Sequence, residues 1–462
     1  MSAHADKHEG SAIADLAAWT LRTDPAYTTD LALRQAELIT LDSIGCALAS
    51  HDAGSPRRVA ELVEELGGKP TCTLIGHPIR TSVLNATLLN CALVRSLDFN
   101  DVQFIMKEGK LHIGGHCSDS LAAALAVGEM VGASGRDVLT AIIMGYELFH
   151  RLRDLMPSSS VWDGTSASGL VTAAMTGRLL KLDPERQGHA LALAGARCAT
   201  PGIVRYGELS GAKNMMGAFI AQQGVQAALL AAKGMTGPRQ ILDHKWGLRD
   251  VFDPALGLSK LWAPIAEPLL IMLSHVKTYA CIGTAQSAVT AALDAHAKLK
   301  GRVDEIEAID VVMADLPIIR KQQAEVPRLT PSTRETADHS FTFLPAVVLI
   351  DGELTPRQFD NQRWNEPRTK ALTAKVRLSV SEELRQRAPT AMPCQLKIRL
   401  KGGQSVETEC LYPPGHSFPD RGLAQAPVLD KFTAIADQFL NPAERARVVD
   451  LAQRGGHAFE YR

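Results

Sequence analysis

The sequence predicts a mainly α protein: a large all-helical domain over residues 1–270, completed by 416–462, plus a smaller α+β lid domain over 271–415. Three observations predict it. At 462 residues the chain is longer than a single hydrophobic core normally supports. From Ala12 to about Pro264, apolar residues recur every three or four positions between turns rich in Gly, Pro, Ser and Asp. Near Ile271 the pattern changes to segments in which Ile and Val alternate with polar residues.

Residues 1–10 are polar and read as a frayed end. Helices are expected over Leu31–Ala49, Pro56–Leu66, Ser82–Arg95, Ser118–Met130, Gly135–Arg153, Ser168–Leu180, Pro184–Ala194 and Ala212–Lys233. Small residues such as Ala122–Ala124 and Gly217-Ala218 lie along their faces, so the backbones can approach closely in a bundle. One more helix, Ile282–Leu299, leads to strands at Ile306–Met313, Lys375–Val380, Gln395–Leu400 and Ser405–Leu411. Gly402-Gly403 reads as the hairpin turn between the last two, and Phe341–Asp351 as a helix among the strands. The tail, Val428–Arg454, is helical and is expected to return to the first domain. A helical body beside a lid leaves a cleft between them, where ligand sites commonly lie.

Composition excludes several classes. Net charge is −1 and basic tracts are short, so no nucleic-acid footprint is expected. The apolar runs, such as Leu121–Val127, read as too short to span a bilayer, so no membrane partner is expected. The eight cysteines are scattered at 46, 72, 91, 117, 198, 281, 394 and 410 without ligand spacing. That pattern points to reduced thiols in a cytoplasm and argues against an iron–sulfur cluster.

Four segments carry candidate chemistry. Asp98, Asn100 and Asp101 crowd a turn after an apolar helix, either as Asx turns or as carboxylates placed for proton transfer or for orienting a histidine. His112 and His116 flank Gly114-Gly115. Ser118 and Asp119 then offer N-caps, so His116 reads either as a surface loop histidine or as seated at a helix N-terminus that lowers its pKa and attracts an anion. A metal between the two histidines is the weaker idea, because no third ligand is near in sequence. Lys213 is the lone charge on its helix and stands in the first turn against the macrodipole, where it either holds an anion or snorkels to solvent. Lys277 and His275, in a segment that also holds Tyr279, sit at the domain junction, where the lysine and histidine could close over a substrate or form an ordinary polar joint.

Taken together, Leu41–Cys46, Leu97–Asp101, His116–Leu121, Ala126–Glu129, Gly145–Glu147, Lys213, Lys233–Pro238, Ala337–Ser340, Leu349–Gly352 and Tyr412–His416 resemble the MmgE/PrpD family along nearly the whole chain. The Leu97–Asp101 and Asp338-His339 wording is closer to its 2-methylcitrate dehydratase branch. The resemblance implies a helical domain plus an α+β lid, a homodimer, and no metal or organic cofactor. Members of the family dehydrate 2-methylcitrate, decarboxylate cis-aconitate or epimerise iminodisuccinate. Asp98, His116, Lys213 and Lys277 match positions lining the family's active site. Other positions differ. Where the decarboxylases have threonine this chain has Val102, their second histidine falls at Asp163 or Gly164, their third near Ile282, and their tyrosine at Phe343. Extra sequence, including Lys107, Glu108, Lys110 and His112, separates Asp101 from His116.

These departures argue against cis-aconitate decarboxylation. The expectation is a cofactor-independent dehydratase acting on a small polycarboxylate by α-proton abstraction. His116, oriented by Asp98, is the acid–base group. Lys213 is the catalytic cation, and Lys277, Asp101, His112 and Tyr279 are substrate contacts. An isomerase using the same abstraction, or a metabolite-binding relative without turnover, remains open beside it.

Overall fold

A computed structural model describes residues 11–107, 110–156, 161–252, 257–418 and 420–447, without the side chains at 106, 107, 110, 112 and 113. The end expected to fray (1–10) and the last part of the expected tail helix (448–454) lie outside these residues. The helical body opens with α1 (Ala12–Leu21), α2 (Asp30–Ala49) and α3 (Gly54–Leu66). A two-residue ladder, β1 (Cys72–Thr73) with β2 (Arg80–Thr81), precedes α4 (Val83–Arg95). After α4 come β3 (Val102–Lys107) and β4 (Lys110–Gly115), then α5 (Leu121–Val131), α6 (Gly135–Leu155), α7 (Ala167–Leu179), α8 (Pro184–Gly195) and α9 (Ala212–Ala232).

The helix starts follow local chemistry. Thr29, Ser82, Ser134 and Asp183 each accept a backbone N–H in the first turn of α2, α4, α6 and α8. Helix α9 has no side-chain cap and lies against α4, α7 and α8. By length and composition it could cross a membrane, which corrects the expectation that every apolar run is too short. About half of it, 56% of the span, is buried against those helices, while Phe219 and Leu230 are exposed. A Cβ on Gly224 would come 2.8 Å from Thr172 Cβ and 2.7 Å from the Gly169 carbonyl of α7, so glycine permits the close crossing.

Short β5 (Ser274–His275) leads into the lid: α10 (Gln286–Leu299), β6 (Ile306–Ala314), α11 (Pro317–Ala324), α12 (Val326–Leu329), α13 (Arg334–Ala337), α14 (Phe343–Asp351), α15 (Pro356–Asp360), α16 (Pro367–Thr373), β7 (Val376–Ser381), α17 (Glu382–Arg387), β8 (Cys394–Leu400) and β9 (Ser405–Cys410). The sheet order is β7-β6-β8-β9, parallel only between β6 and β7. Gly402 and Gly403 turn the β8–β9 hairpin at φ +85° and +81°, a conformation glycine adopts without steric cost. Helix α10 packs on β8 and β9, and α14 packs on α10. The chain is therefore mainly helical with a smaller α+β part, as the sequence predicts.

Two cores result. One runs from Ile13 to Val276 and takes in Leu423, Val428, Phe432 and Ala436, the last three on α18 (Gln425–Ala436). The other is built from residues 280–410 together with Cys46, Leu97, Phe99, Val102, Phe104 and Leu111. The tail helix returns to α2, where Lys431 Nζ bonds Asp42 Oδ1 at 2.7 Å. From there it also donates to the carbonyls of Phe99 (2.7 Å) and Lys277 (2.9 Å).

The main departure from the helix-after-helix reading is the β3–β4 hairpin. It pairs with β5 and places Val102, Phe104 and Leu111 in the lid's core. Burial of such side chains is worth about 1.5–3 kcal/mol each, enough to hold a short hairpin against the lid.

Candidate active site

A cavity of about 290 Å³ lies between the two cores, and its wall is drawn from both. Asp98 forms its centre. It follows α4 with φ +49°, a left-handed conformation that costs a non-glycine residue about 1–3 kcal/mol. The surrounding charges over-determine it. Arg95 Nη1 lies 2.9 Å from Oδ1, Lys213 Nζ donates to Oδ2 at 2.7 Å, Lys277 Nζ donates to Oδ1, and His339 Nε2 stands 3.5 Å from Oδ2. Burial alone would raise the pKa of this carboxyl, but Arg95, Lys213 and Lys277 outweigh it and hold it far below the usual range. Lys213 is 1% exposed, so it does not snorkel, and burial lowers its pKa to about 8 despite Asp98.

His116 is set by the hairpin. Gln103 on β3 pairs with Gly115 on β4, which brings the chain ends 101 and 116 together. His116 Nδ1 then lies 2.5 Å from the Asp101 carbonyl oxygen. A carbonyl only accepts, so Nδ1 carries the proton and Nε2 keeps a free lone pair while the ring is neutral. Burial first, then Arg95 and Lys277, push the His116 pKa well below 6.5. Those are the causes, in place of the expected helix dipole. Ser118 and Asp119 also do not cap the helix. Ser118 Oγ donates to Asp101 at 2.5 Å, and Asp119 accepts from Asn100 at 2.9 Å. Nor does Asp98 orient His116: its oxygens are taken by cations, and Asp101 does the orienting through its carbonyl.

The structure therefore brings Asp98, His116 and Lys213 to the cavity wall. Lys277 meets Asp98 from behind and is fully buried. Asp101 stands outside the wall, its carboxylate bound by Ser118 and Tyr146. Tyr279 is not on the wall either, and its hydroxyl sits 3.4 Å from Thr290 Oγ1. His112 pairs with Ile105 along the hairpin, and its side chain lies outside the described residues.

Several wall residues were not singled out from sequence. Arg95 ends an apolar helix and reads as an ordinary last-turn cation. Arg153 and Arg205 approach from α6 and from a loop, and Arg205 grips Asp163 at 2.8 and 3.2 Å. His339 entered only as part of a familiar wording. Its Nδ1 is bonded to Asp338 Oδ1. Burial raises Asp338 to about pKa 7, and burial with Lys213 lowers His339, so the pair holds one proton between a carboxylic acid and a neutral ring.

Among the described residues, the grouping of His, Asp and Glu compact enough for a metal is Asp98, Asp338 and His339. Asp98 already carries three cations at that point, so a divalent ion there would meet net repulsion. Free and buried, the eight cysteines form no disulfide.

The MmgE/PrpD N-terminal domain is matched over residues 14–258 and the MmgE/PrpD C-terminal domain over 279–454. A cis-aconitate decarboxylase-like protein, oryM, of Aspergillus oryzae (strain ATCC 42149 / RIB 40) is 22% identical, covering 95% of this chain and 93% of its own. The cis-aconitate decarboxylase of Mus musculus is 25% identical over 90% of this chain and 84% of its own. The mitochondrial 2-methylcitrate dehydratase of Yarrowia lipolytica (strain CLIB 122 / E 150) is 25% identical over 85% of this chain and 78% of its own. With both domains matched in order along the chain, this protein belongs to the MmgE/PrpD family.

Proposed function

We propose that the chain is a cofactor-independent hydro-lyase of the 2-methylcitrate dehydratase kind, acting on a small polycarboxylic acid. The observation that carries this reading is the cavity itself. Among the described residues its wall holds Arg95, Arg153, Arg205, Lys213, Lys321 and Arg328 against Asp98, Asp119 and Asp163, with a neutral histidine, His116, facing the same space. Such a balance suits a ligand carrying several negative charges.

In this reading His116 Nε2 removes a proton from the carbon next to a carboxylate. Lys213 and Arg95 stabilise the enolate that forms. The carbon–oxygen bond then breaks as the C=C bond forms. The proton held by Asp338 and His339 passes to the departing hydroxide, which leaves as water. The proton on His116 goes to solvent and Asp338 is reprotonated, so the cycle closes without an oxidant or a metal.

The names of the relatives admit both dehydration and decarboxylation, and the cavity favours the first. Val102, Asp163, Gly164 and Ile282 all line it, at the positions where the decarboxylases resembled carry a threonine and two histidines. Phe343, in place of their tyrosine, packs on Phe359 and Trp364 in the lid core. A homodimer and a cytoplasmic location belong to the same reading. An isomerase has one observation in its favour, since two neutral histidines, His116 and His339, reach one cavity.

Incubation with each 2-methylcitrate diastereomer, citrate and cis-aconitate, followed by chromatography, tests the reading. A tricarboxylic alkene accumulating from a hydroxy acid supports it, and loss of CO₂ from cis-aconitate without any dehydration contradicts it.

A further inference from the structure

Five of the six cations on the cavity wall are already bound to a carboxylate. Arg95 and Lys213 hold Asp98, Arg205 holds Asp163, and Arg328 and Lys321 hold Glu325. Arg153 differs. Its Nε donates to the Gly114 carbonyl at 3.0 Å and its Nη1 to Met156 Sδ at 3.6 Å, and among the described residues it meets no carboxylate within ion-pair distance. The carbonyl fixes the plane of the guanidinium, and among the described residues Nη2 has no hydrogen-bond acceptor.

The space for that guanidinium is made by Gly164. A Cβ at 164 would sit 2.7 Å from Arg153 Cζ, 2.8 Å from Nε and 3.0 Å from Nη1. Gly164 has no positive φ, so its backbone does not require glycine. Its lack of a side chain is what admits the arginine. A cation held in plane, half-buried and unpaired beside a ligand-sized cavity is suited to binding a carboxylate, which would present two oxygens to its N–H groups.

We propose that Arg153, admitted by Gly164, is the receptor for a substrate carboxylate remote from the reacting carbon, and that this pair selects a tricarboxylate over a dicarboxylate. The proposal rests on the polycarboxylate reading of the cavity and adds its specificity.

Calorimetric titration with three unreactive ligands tests it: tricarballylate, and glutarate and methylsuccinate, which each lack one of its carboxylates. Arg153→Gln is expected to weaken tricarballylate about 10- to 100-fold, the worth of a charged hydrogen bond. It is expected to change one of the two dicarboxylates by less than about threefold, because that ligand lacks the group Arg153 would hold. Gly164→Ala, which keeps the arginine but fills its place, should reproduce the loss and add nothing in the Arg153→Gln background. Equal losses for all three ligands, or unchanged tricarballylate binding in both variants, overturns the proposal. Failure of the wild type to bind any of the three instead overturns the polycarboxylate reading beneath it.

Discussion

At the scale of single residues, Asp98 anchors the site and His116 faces it with a free nitrogen. Replacement of His116 by alanine should lower kcat by about two to four orders of magnitude, the usual worth of a positioned general base. Steady-state kinetics check this, and an unchanged kcat contradicts the assignment. The same residues set the pH dependence. A base works deprotonated, and the His116 pKa lies below 6.5, so kcat/KM should hold constant down through pH 6.5 and fall only below it. Asp338 and Lys213 both work protonated, with pKa values of about 7 and about 8, so activity should fall as pH rises through about 7 and more steeply beyond about 8. In Lys213→Arg the steeper loss beyond about 8 should disappear, while the loss near 7 and the acid limb should stay. A profile unchanged above pH 8 would remove Lys213 from the chemistry. Sequence showed Lys213 through its isolation on an apolar helix and His116 through its glycine-flanked turn. It could not show their partners: Asp98 meets Lys213 from 115 residues away and Lys277 from 179, and no local pattern encodes such distances.

At the scale of elements, the β3–β4 hairpin does most to build the site. Its final register pair, Gln103 with Gly115, sets His116 against the Asp101 carbonyl. Gly115 stands at φ +119°, and a Cβ there would lie 3.0 Å from Phe149 Cζ. Gly115→Ala should therefore shift His116 and cost about 10- to 100-fold in kcat with the fold intact, read by kinetics beside far-UV circular dichroism. Full activity in that variant would show that the hairpin register does not position the base. The hairpin was not legible beforehand because Lys107, Glu108 and Lys110 interrupt its apolar pattern and Gly114-Gly115 reads as loop. The long helices and β6 to β9 were legible, since their periodicities run for several turns or alternations. Helix α9 was legible as a helix, but its burial was not, because its apolar residues point all round.

At the scale of the whole molecule, two cores meet across a positively charged cavity, and the tail helix ties them through Lys431 to the carbonyls of Phe99 and Lys277. The two-part layout followed from the change of hydrophobic period near residue 271. The exchange of segments between the parts did not, since residues 97–111 read as part of the helical body yet fill the lid's core. The proposed chemistry of this assembly is metal-free α-proton abstraction from a polycarboxylate coupled to loss of hydroxide. Proton NMR in D₂O, on protein treated with EDTA and given each 2-methylcitrate diastereomer, tests it most directly. The expected result is a new alkene formed at a rate that EDTA does not alter. Deuterium entering the α-position with no alkene formed, or activity that returns only with added metal, would contradict it.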